Sequence, residues 1–267
     1  MAPKLKHLRS SIADLRNLFT KAIAVDQISS ALELCEARAD AAVTRRLMEE
    51  KDFDVVGLEK SGNVYGYVEL AALKDGVCSE SENVFQPDDL LAAGSPLREA
   101  LGVLQGKKRL FLREGSKVSQ IVTLADLNKA PVRLYFFGVI TLLEMQLTRL
   151  VGHYYQHDSW RDSISAPRLE AATKFHAARK KQNQELALVE CLQFCDKRDI
   201  LLATQEFVKV STFRSKDALE NVLKNGEKLR DKLAHGNDAV LGSSWPDTIE
   251  LVNSLELLAE RLEEVGN

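Results

Sequence analysis

The sequence lacks several signatures that identify common enzyme classes. It has no Gly-x-x-x-x-Gly-Lys loop and no serine within Gly-x-Ser-x-Gly, so P-loop nucleotide hydrolases and α/β-hydrolases of the usual pattern are not indicated. Its four cysteines form no Cys-x-x-Cys pair, and His153, His157 and His176 have no partners at the spacing of metal ligands. No metal site is therefore predicted.

Cysteine is scarce, and two of the four cysteines lie close together in the sequence. Cys191 and Cys195 are four residues apart, which would place them on one face of a helix. A disulfide or a metal site is open there, but buried thiols are the favoured interpretation. Thiols that stay reduced are typical of a reducing compartment.

Long apolar runs and an excess of one charge are missing too. The most apolar run, Leu134 to Leu143, has about ten residues, too few to cross a bilayer, and the N-terminus has no apolar core of signal-peptide length. Residues 1–130 carry 18 Lys and Arg against 19 Asp and Glu, and residues 131–267 carry 18 against 20. We therefore expect a cytoplasmic protein without a membrane segment, in which any contact with RNA uses a local patch.

The first half of the chain contains a duplicated pattern of helix, strand, glycine turn and strand. The two turn glycines, Gly62 and Gly115, are 53 residues apart. Periodicity predicts helices at 11–23, at 28–48 and from 95 onward, and strands at 54–59, 64–69, 109–113 and 118–123.

The last of these strands and the residues after it carry a recognisable motif. Val118 to Leu127 reads Val-Ser-Gln-Ile-Val-Thr-Leu-Ala-Asp-Leu, which resembles the nucleotide-binding stretch of a CBS domain, Gly-hydrophobic-x-Thr/Ser-x-x-Asp. Thr123 and Asp126 occupy the polar positions, and Gln120 replaces the glycine. The resemblance implies a CBS pair, with repeats at about 15–75 and 84–130, that binds AMP, ADP or ATP. In the family the threonine helps to hold phosphate and the aspartate holds the ribose hydroxyls.

The first repeat departs from this motif. Glu69 stands at the threonine position and Ala72 at the aspartate position. Since a carboxylate would repel phosphate, we expect one competent nucleotide site rather than two. A second interpretation stays open for the competent repeat: Thr-x-x-Asp is also a capping-box arrangement, so Thr123 and Asp126 would then only begin the next helix.

From Ala130 onward the strand pattern disappears. Helices are predicted over 132–151, 174–194 and 216–234 and from 245 onward, the last with an apolar stripe at helical spacing. The fold class predicted for the whole chain is α+β. An N-terminal tandem CBS α/β module would span residues 1–130, and an all-α, HEPN-like helical bundle would span residues 131–267.

The HEPN resemblance rests on the stretch Leu229 to Asn237, which reads Leu-Arg-Asp-Lys-Leu-Ala-His-Gly-Asn. Arg230 and His235 match the Arg-x4–6-His signature of HEPN domains, many of which are metal-independent ribonucleases. The resemblance implies RNA as substrate and a homodimer in which the Arg–His pairs of two protomers converge. It also suggests that Glu144, on the first helix of the bundle, braces the arginine, and that Asp231 orients Arg230 or a histidine. A salt bridge from Glu144 to Arg149, or a place on a solvated face, stays equally open for this acid.

These residue types suit RNA cleavage without a metal, because RNA carries its own nucleophile, the ribose 2′-hydroxyl. Histidine transfers protons near neutral pH, and the planar guanidinium of Arg230 matches a phosphate. Arg230 and His235 are five residues apart, about 140° around an ideal helix, so a single pair cannot enclose a phosphate. This spacing agrees with a site completed by a second protomer.

Three interpretations of the whole chain stay open. The first is a ribonuclease controlled by a nucleotide, in stress response or defence as the resemblance suggests. The second is a non-catalytic, nucleotide-sensing adaptor whose helical domain binds RNA or a partner protein. The third is a scaffold in which Arg230 and His235 only neutralise a helix dipole. The basic run Arg179-Lys180-Lys181 is open in the same way: it would contact phosphate, or it would form a solvated helix face.

Overall fold

The computed structural model describes residues 11–184, 186–235 and 244–265. The chain is a mixed α+β protein with two compact units. One unit is Phe19–Val132, and the other comprises the described residues of Met1–Leu18 and Arg133–Asn267. Residues 11–18 therefore belong with the C-terminal helices, whereas the predicted domain boundary near residue 130 grouped them with the N-terminal module.

The N-terminal unit holds two four-stranded sheets. One has the strand order β1-β8-β7-β6 and the other the order β2-β3-β4-β5. The strands are β1 (Ser30–Ala31), β2 (Leu34–Glu36), β3 (Val55–Lys60), β4 (Asn63–Glu69), β5 (Asn83–Val84), β6 (Leu90–Ala92), β7 (Arg109–Glu114) and β8 (Lys117–Thr123). Helices α2 (Ala41–Glu50) and α3 (Leu97–Leu104) each connect a short strand to a long hairpin.

The predicted duplication is visible in the strand register. The β3–β4 hairpin pairs Val55 with Glu69, and the β7–β8 hairpin pairs Arg109 with Thr123, each with a register shift at the corresponding point. The hairpins are thus related by 54 residues, not by the 53 that separate the turn glycines. Ser61 and Gly115 are the equivalent left-handed positions, with φ of 55° and 61°.

The two repeats exchange their first strands. β1 pairs with β8 of the second repeat, and β5 pairs with β4 of the first. The space between the sheets is filled by an aromatic cluster in which the ring centroids of Tyr67 and Phe85 lie 4.9 and 4.8 Å from that of Phe111. Because each sheet needs a strand from the other repeat, neither repeat completes its sheet alone.

The helix predicted over 28–48 is wrong. This segment holds a 3-10 turn (Val25–Ile28), β1 and β2, and helix α2 begins only at Ala41. Asp40 sets that start, because its carboxylate accepts a hydrogen bond from the Val43 N–H at 2.9 Å. The preceding residues are drawn into both sheets by backbone pairing with distant strands, which overrides their local preference.

The C-terminal unit is helical. Its helices are the first part of α1 (Ile12–Ala22), α4 (Ala130–Tyr154, from Arg133), α5 (Ala166–Lys181), α6 (Phe194–Leu202), α7 (Gln205–Ser211), α8 (Lys216–Ala234) and α9 (Trp245–Glu263). The helices predicted at 132–151 and 216–234 and from 245 are confirmed. Along α9, Val252, Leu255, Leu258 and Leu262 are buried as the stripe predicts.

The helix predicted over 174–194 is wrong in both bounds. Pro167 fits the first turn of α5, which begins at Ala166. The helix ends at Lys181, and Asn183 adopts a positive φ of 56° that an α-helix does not continue. Cys191 lies in a separate 3-10 turn (Leu188–Cys191) and Cys195 in α6, so the two thiols do not share a helix face. All four cysteines are free.

The length of α4 also corrects the view that no segment reaches bilayer length. Among the described helices, α4 alone is long and apolar enough to cross a membrane by length and composition. Its most apolar window has a mean hydropathy of 1.4, and 56% of that window is buried inside the protein. A buried core helix satisfies the same criteria, so the finding does not establish a membrane span.

A buried carboxylate joins three helices of this unit. Glu256 on α9 is 1% exposed. It accepts a hydrogen bond from the Tyr135 hydroxyl on α4 at 3.0 Å and another from the Arg16 guanidinium on α1. Arg16 reaches Glu260 one turn further along α9. These contacts hold the first part of α1 against the helical unit.

We predict that Arg16→Met lowers the free energy of unfolding by about 1–3 kcal/mol, because the buried Glu256 carboxylate loses a charged donor. Chemical denaturation of the wild type and the variant measures the change. Lys21→Met is the matched control, since Lys21 is exposed on the same helix and should cost less than about 0.5 kcal/mol. Equal losses in the two variants would contradict this role of Arg16.

Candidate functional site

The sequence-predicted residues of the helical unit gather at the C-terminal end of α8. Arg230 and Asp231 lie in the last turns of this helix, and His235 is the residue that follows Ala234. Asp231 contacts both of the others. Its carboxylate accepts hydrogen bonds from Arg230 Nε and Nη2 at 3.3 and 3.1 Å. Its backbone carbonyl accepts a hydrogen bond from Nδ1 of His235.

Glu144 on α4 completes this group from the opposite helix. Its Oε2 accepts from Arg230 Nη1 at 3.2 Å, and its Oε1 accepts from Lys197 Nζ at 2.9 Å. Lys197 lies on α6, and its side chain is 5% exposed. One carboxylate therefore bridges a buried ammonium and a partly exposed guanidinium, which fixes the position of Arg230 on α8.

The guanidinium of Arg230 has further surroundings that keep it charged. Its Cζ lies 5.7 Å from the centroid of the Phe194 ring, within the range of a cation–π contact. Burial alone would lower the pKa of Arg230, but the carboxylates of Asp231 and Glu144 outweigh it and raise that pKa above its ordinary value. Arg230 is therefore a permanent cation.

The imidazole of His235 is oriented by the backbone. Nδ1 lies 2.8 Å from the Asp231 carbonyl oxygen, and the side chain is exposed. A carbonyl oxygen can only accept, so Nδ1 carries the proton and, in the neutral ring, Nε2 is the acceptor. Nε2 makes no hydrogen bond to any residue in the described ranges. The ring is thus held in the tautomer that a general base requires.

Other groups satisfy the exposed end of the helix. Arg133 Nη2 donates to the Leu233 carbonyl at 2.9 Å. Carbonyl groups at a helix C-terminus attract cations, so Arg133 and His235 both serve this end of α8. Gly236 and Asn237, the last two residues of the Arg–His stretch, lie outside the described residues.

Of the three predicted nucleotide-site residues, Thr123 and Asp126 are in contact, and Gln120 has a different partner. Asp126 Oδ2 accepts from the backbone N–H and the hydroxyl of Thr123 at 2.7 and 2.9 Å. Gln120 Oε1 accepts from the Ser29 hydroxyl at 2.9 Å. The Thr123–Asp126 pair forms a capping box at the 3-10 turn Leu124–Asn128, so the structural alternative is realised in this conformation.

Lys129 occupies the other oxygen of the same carboxylate. Its Nζ lies 2.7 Å from Asp126 Oδ1 and also donates to the carbonyls of Ile28 and Ser29, at 2.7 and 3.1 Å. Asp126 is buried. A ribose that binds this carboxylate must therefore displace the ammonium of Lys129 from Oδ1 or share the oxygen with it.

The equivalent place in the first repeat is closed by an ion pair. The register places Glu69 where Thr123 lies in the second repeat. Its carboxylate accepts from Arg109, whose guanidinium lies 5.8 Å from the centroid of the Tyr67 ring. Arg109 thus compensates the charge of Glu69, and this guanidinium is not available to a phosphate.

Two functional candidates, Lys197 and Lys129, were missed by sequence reasoning. Lys197 lies in the charged run Asp-Lys-Arg-Asp, which is typical of a solvated helix face. Lys129 lies just before a predicted helix and belongs to no recognisable motif. Only long-range packing reveals their partners. No group of three His, Cys, Asp or Glu side chains suited to a metal occurs among the described residues.

Comparisons with known proteins concern only part of the chain. No protein-family model and no curated protein matches the sequence. Among solved structures, it is similar to a conserved CBS domain protein of unknown function from Thermoplasma acidophilum (15% identity, 42% of this chain and 75% of that chain, TM-score 0.36). It is also similar to the CBS-pair protein CBSX2 from Arabidopsis thaliana (15%, 42% and 95%, 0.37).

A second structure of CBSX2, in complex with AMP, gives 14% identity, covers 42% of this chain and 97% of that chain, and has a TM-score of 0.38. These structural neighbours are thus CBS-domain proteins that cover about 40% of this chain. None of the three is described as a HEPN protein. At these identities and TM-scores the likeness does not assign the chain to a family.

We predict that Glu144→Gln lowers the free energy of unfolding by about 2–4 kcal/mol, because it leaves the buried Lys197 without a counter-ion. The double variant Glu144→Gln/Lys197→Met should regain part of that loss. Denaturation of the two single variants and the double variant gives the coupling energy between the residues.

The exposed pair Lys174–Glu170 is the matched control, with side chains 75% and 65% exposed. Its coupling should be below about 1 kcal/mol. A coupling at Glu144–Lys197 no larger than that of the control would show that the carboxylate does not stabilise this end of the helical unit.

Proposed function

We propose that the chain is a nucleotide-regulated, metal-independent RNA endonuclease of HEPN type that acts as a homodimer. The observation that carries the proposal is the exposed imidazole of His235. Its Nδ1 is bound to the backbone carbonyl of Asp231, whose carboxylate, together with that of Glu144, holds Arg230 in place. A fixed imidazole tautomer and a permanent cation at the same end of one helix suit proton transfer at a phosphodiester.

The proposed reaction uses the ribose 2′-hydroxyl of the RNA as nucleophile. Nε2 of His235 takes the proton of that hydroxyl while its oxygen forms a bond to phosphorus. The bond from phosphorus to the 5′-oxygen breaks, and the imidazolium of the partner subunit's His235 gives this oxygen a proton. The products are a 2′,3′-cyclic phosphate and a 5′-hydroxyl, so atoms and protons balance without a metal.

Arg230 would supply the electrostatic part of this mechanism. Negative charge accumulates on the non-bridging oxygens as the phosphorane forms, and a fixed guanidinium stabilises it without reorganising. Because one Arg–His pair cannot enclose a phosphate, the second protomer contributes the other pair.

The nucleotide-sensing part of the proposal rests on Thr123, Asp126 and Gln120. AMP, ADP or ATP would place its ribose on Asp126 and phosphate near Thr123, where the N-terminus of the following turn favours an anion. Lys129 would then leave Asp126 Oδ1. Lys129 directly precedes α4, and Glu144 lies further along the same helix. A change at Lys129 would therefore act on the helix whose Glu144 holds Arg230.

The two states that such regulation requires are Lys129 bound to Asp126 and Lys129 released by a nucleotide. A cytoplasmic location is part of the same proposal, in keeping with free thiols at all four cysteines.

A second candidate function is a non-catalytic, nucleotide-sensing adaptor whose helical domain binds RNA or a partner protein. One observation favours it: the charge of Arg230 is already compensated by two carboxylates, and His235 hydrogen-bonds a carbonyl at the C-terminal end of α8. The partners of Arg230 and His235 would therefore give both residues a structural role even if the protein did not cleave RNA.

The deciding experiment is cleavage of a labelled single-stranded RNA in EDTA. His235→Ala should lower the rate by about 100-fold or more, the size of a lost general acid–base group. His157→Ala is the matched control, since His157 is exposed in the same unit and should cleave at the wild-type rate. Cleavage that survives His235→Ala, or its absence in the wild type under every nucleotide, would favour the adaptor.

The regulatory part has its own prediction. AMP, ADP or ATP should change the wild-type cleavage rate, and Asp126→Ala should abolish that response. Because the variant has no carboxylate to hold Lys129, its rate without nucleotide should equal the rate that the wild type reaches with nucleotide. An unchanged nucleotide response in Asp126→Ala would contradict this assignment.

A further inference from the structure

Helix α5 (Ala166–Lys181) buries few side chains for its length. Only Ala172 is buried among its sixteen residues. The helix carries five basic residues and one acidic residue, and its last three residues are Arg179-Lys180-Lys181. Its charges are not gathered opposite one apolar face, as a helix lying on a membrane surface would require. The helix therefore presents a basic surface that the proposed reaction does not use.

An aromatic ring lies within this basic surface. Phe175 is 46% exposed, and the Arg179 guanidinium lies 4.8 Å from its ring centroid. Arg179 also donates to Gln184 at 3.1 Å. In the described part of the chain, Lys180 and Lys181 are exposed and form no ion pair. Exposed aromatics beside free cations are typical of surfaces that bind single-stranded nucleic acid.

A cavity of about 460 Å³ adjoins this ring, between α5 and the segment 190–196. This volume is within the range of small-molecule sites and is ample for a nucleobase. Its lining includes Phe175, the amide of Gln193, and the carboxylates of Glu190 and Asp196.

The carboxylate of Asp196 in this lining is held by the protein itself. Asp196 is 3% exposed, and its Oδ2 accepts from the Gln193 N–H at 3.0 Å. Its Oδ1 lies 2.8 Å from Arg168 Nε in an ion pair. Arg168 also lines the cavity, so the wall opposite Phe175 is fixed by these contacts.

We infer that α5 and the adjoining cavity bind single-stranded RNA. One base stacks on Phe175 and enters the adjoining cavity, while Arg179, Lys180 and Lys181 contact the flanking phosphates. The inference goes beyond the proposed reaction and does not require it, because the surface is separate from Arg230 and His235 in the sequence and shares no residue with them.

The distribution of charge distinguishes RNA from an acidic peptide. The cavity lining carries two carboxylates, those of Glu190 and Asp196, against one guanidinium, that of Arg168, so the carboxylates of a peptide would be repelled there. A nucleobase is neutral and carries N–H donors, so it suits the acidic cavity, while its phosphates suit the basic helix outside. An acidic peptide also gains little from an exposed phenylalanine ring.

The test is binding of a fluorescent single-stranded RNA of about 12 nucleotides in EDTA, with every protein carrying His235→Ala so that no cleavage occurs. Phe175→Ala should weaken binding about tenfold, the size expected for one lost stacking contact. Leu257→Ala is the matched control, since Leu257 is also 46% exposed on α9 and should leave the affinity unchanged.

The double reversal Lys180→Glu/Lys181→Glu tests the phosphate contacts. It should weaken binding by about tenfold or more at low salt and reduce the salt slope of log K by about 1.4, since each phosphate on single strands contributes about 0.7. Lys209→Glu/Lys216→Glu has the same net charge on exposed sites of the same unit, and should retain most of the affinity.

Three results would overturn the inference: no RNA binding by the parent protein, RNA binding that survives both changes on α5, or losses as large in the matched controls. Equal binding of polyglutamate with no effect of Phe175→Ala would point to a site for acidic polymers and would overturn it as well. The cleavage assay with Phe175→Ala in an otherwise native chain distinguishes failure of the proposed RNA surface on α5 from failure of the proposed nuclease. A wild-type rate at saturating RNA would then leave the nuclease standing.

Discussion

The carboxylate of Glu144, between Lys197 and Arg230, is the interaction on which the candidate site depends. Lys197 is buried and needs a counter-ion, since an unpaired ammonium in the interior is costly. The carboxylate that compensates it also receives Arg230 on α8. The charge balance of the core thereby determines where the Arg230 guanidinium lies. Asp231 contacts this guanidinium with its carboxylate and His235 with its backbone carbonyl.

The N-terminal unit uses a carboxylate in a similar way, with a different consequence. Asp126 joins the capping box of Thr123 to the ammonium of Lys129. Glu69, at the equivalent end of the first hairpin, is paired with Arg109. The first pair is local, next to the start of α4, and a ribose could replace the lysine. The second pair joins the two hairpins and compensates the acid that stands at the threonine position, so the repeats are alike in fold and differ in the residues at this position.

The sequence predicted what depends on local pattern and missed what depends on distant partners. The bounds of α8, the stripe of α9 and the equivalence of Glu69 with Thr123 follow from periodicity and motif spacing, and the structure has them so. The segment 28–48 looked helical because its pairing with β8 and β3 is invisible in one stretch of chain. Lys197 and Lys129 were missed for the same reason, since a lysine in a charged run gives no sign of its burial or its partner.

The central claim is that the helical unit cleaves RNA with the 2′-hydroxyl of the substrate as nucleophile and His235 as proton carrier. The most direct measurement uses an RNA in which every ribose is replaced by 2′-deoxyribose, compared with the unmodified strand in EDTA. The account predicts cleavage of the unmodified strand and none of the deoxy strand, at equal binding of both. Cleavage of the deoxy strand would show that a different nucleophile is used and would contradict the account.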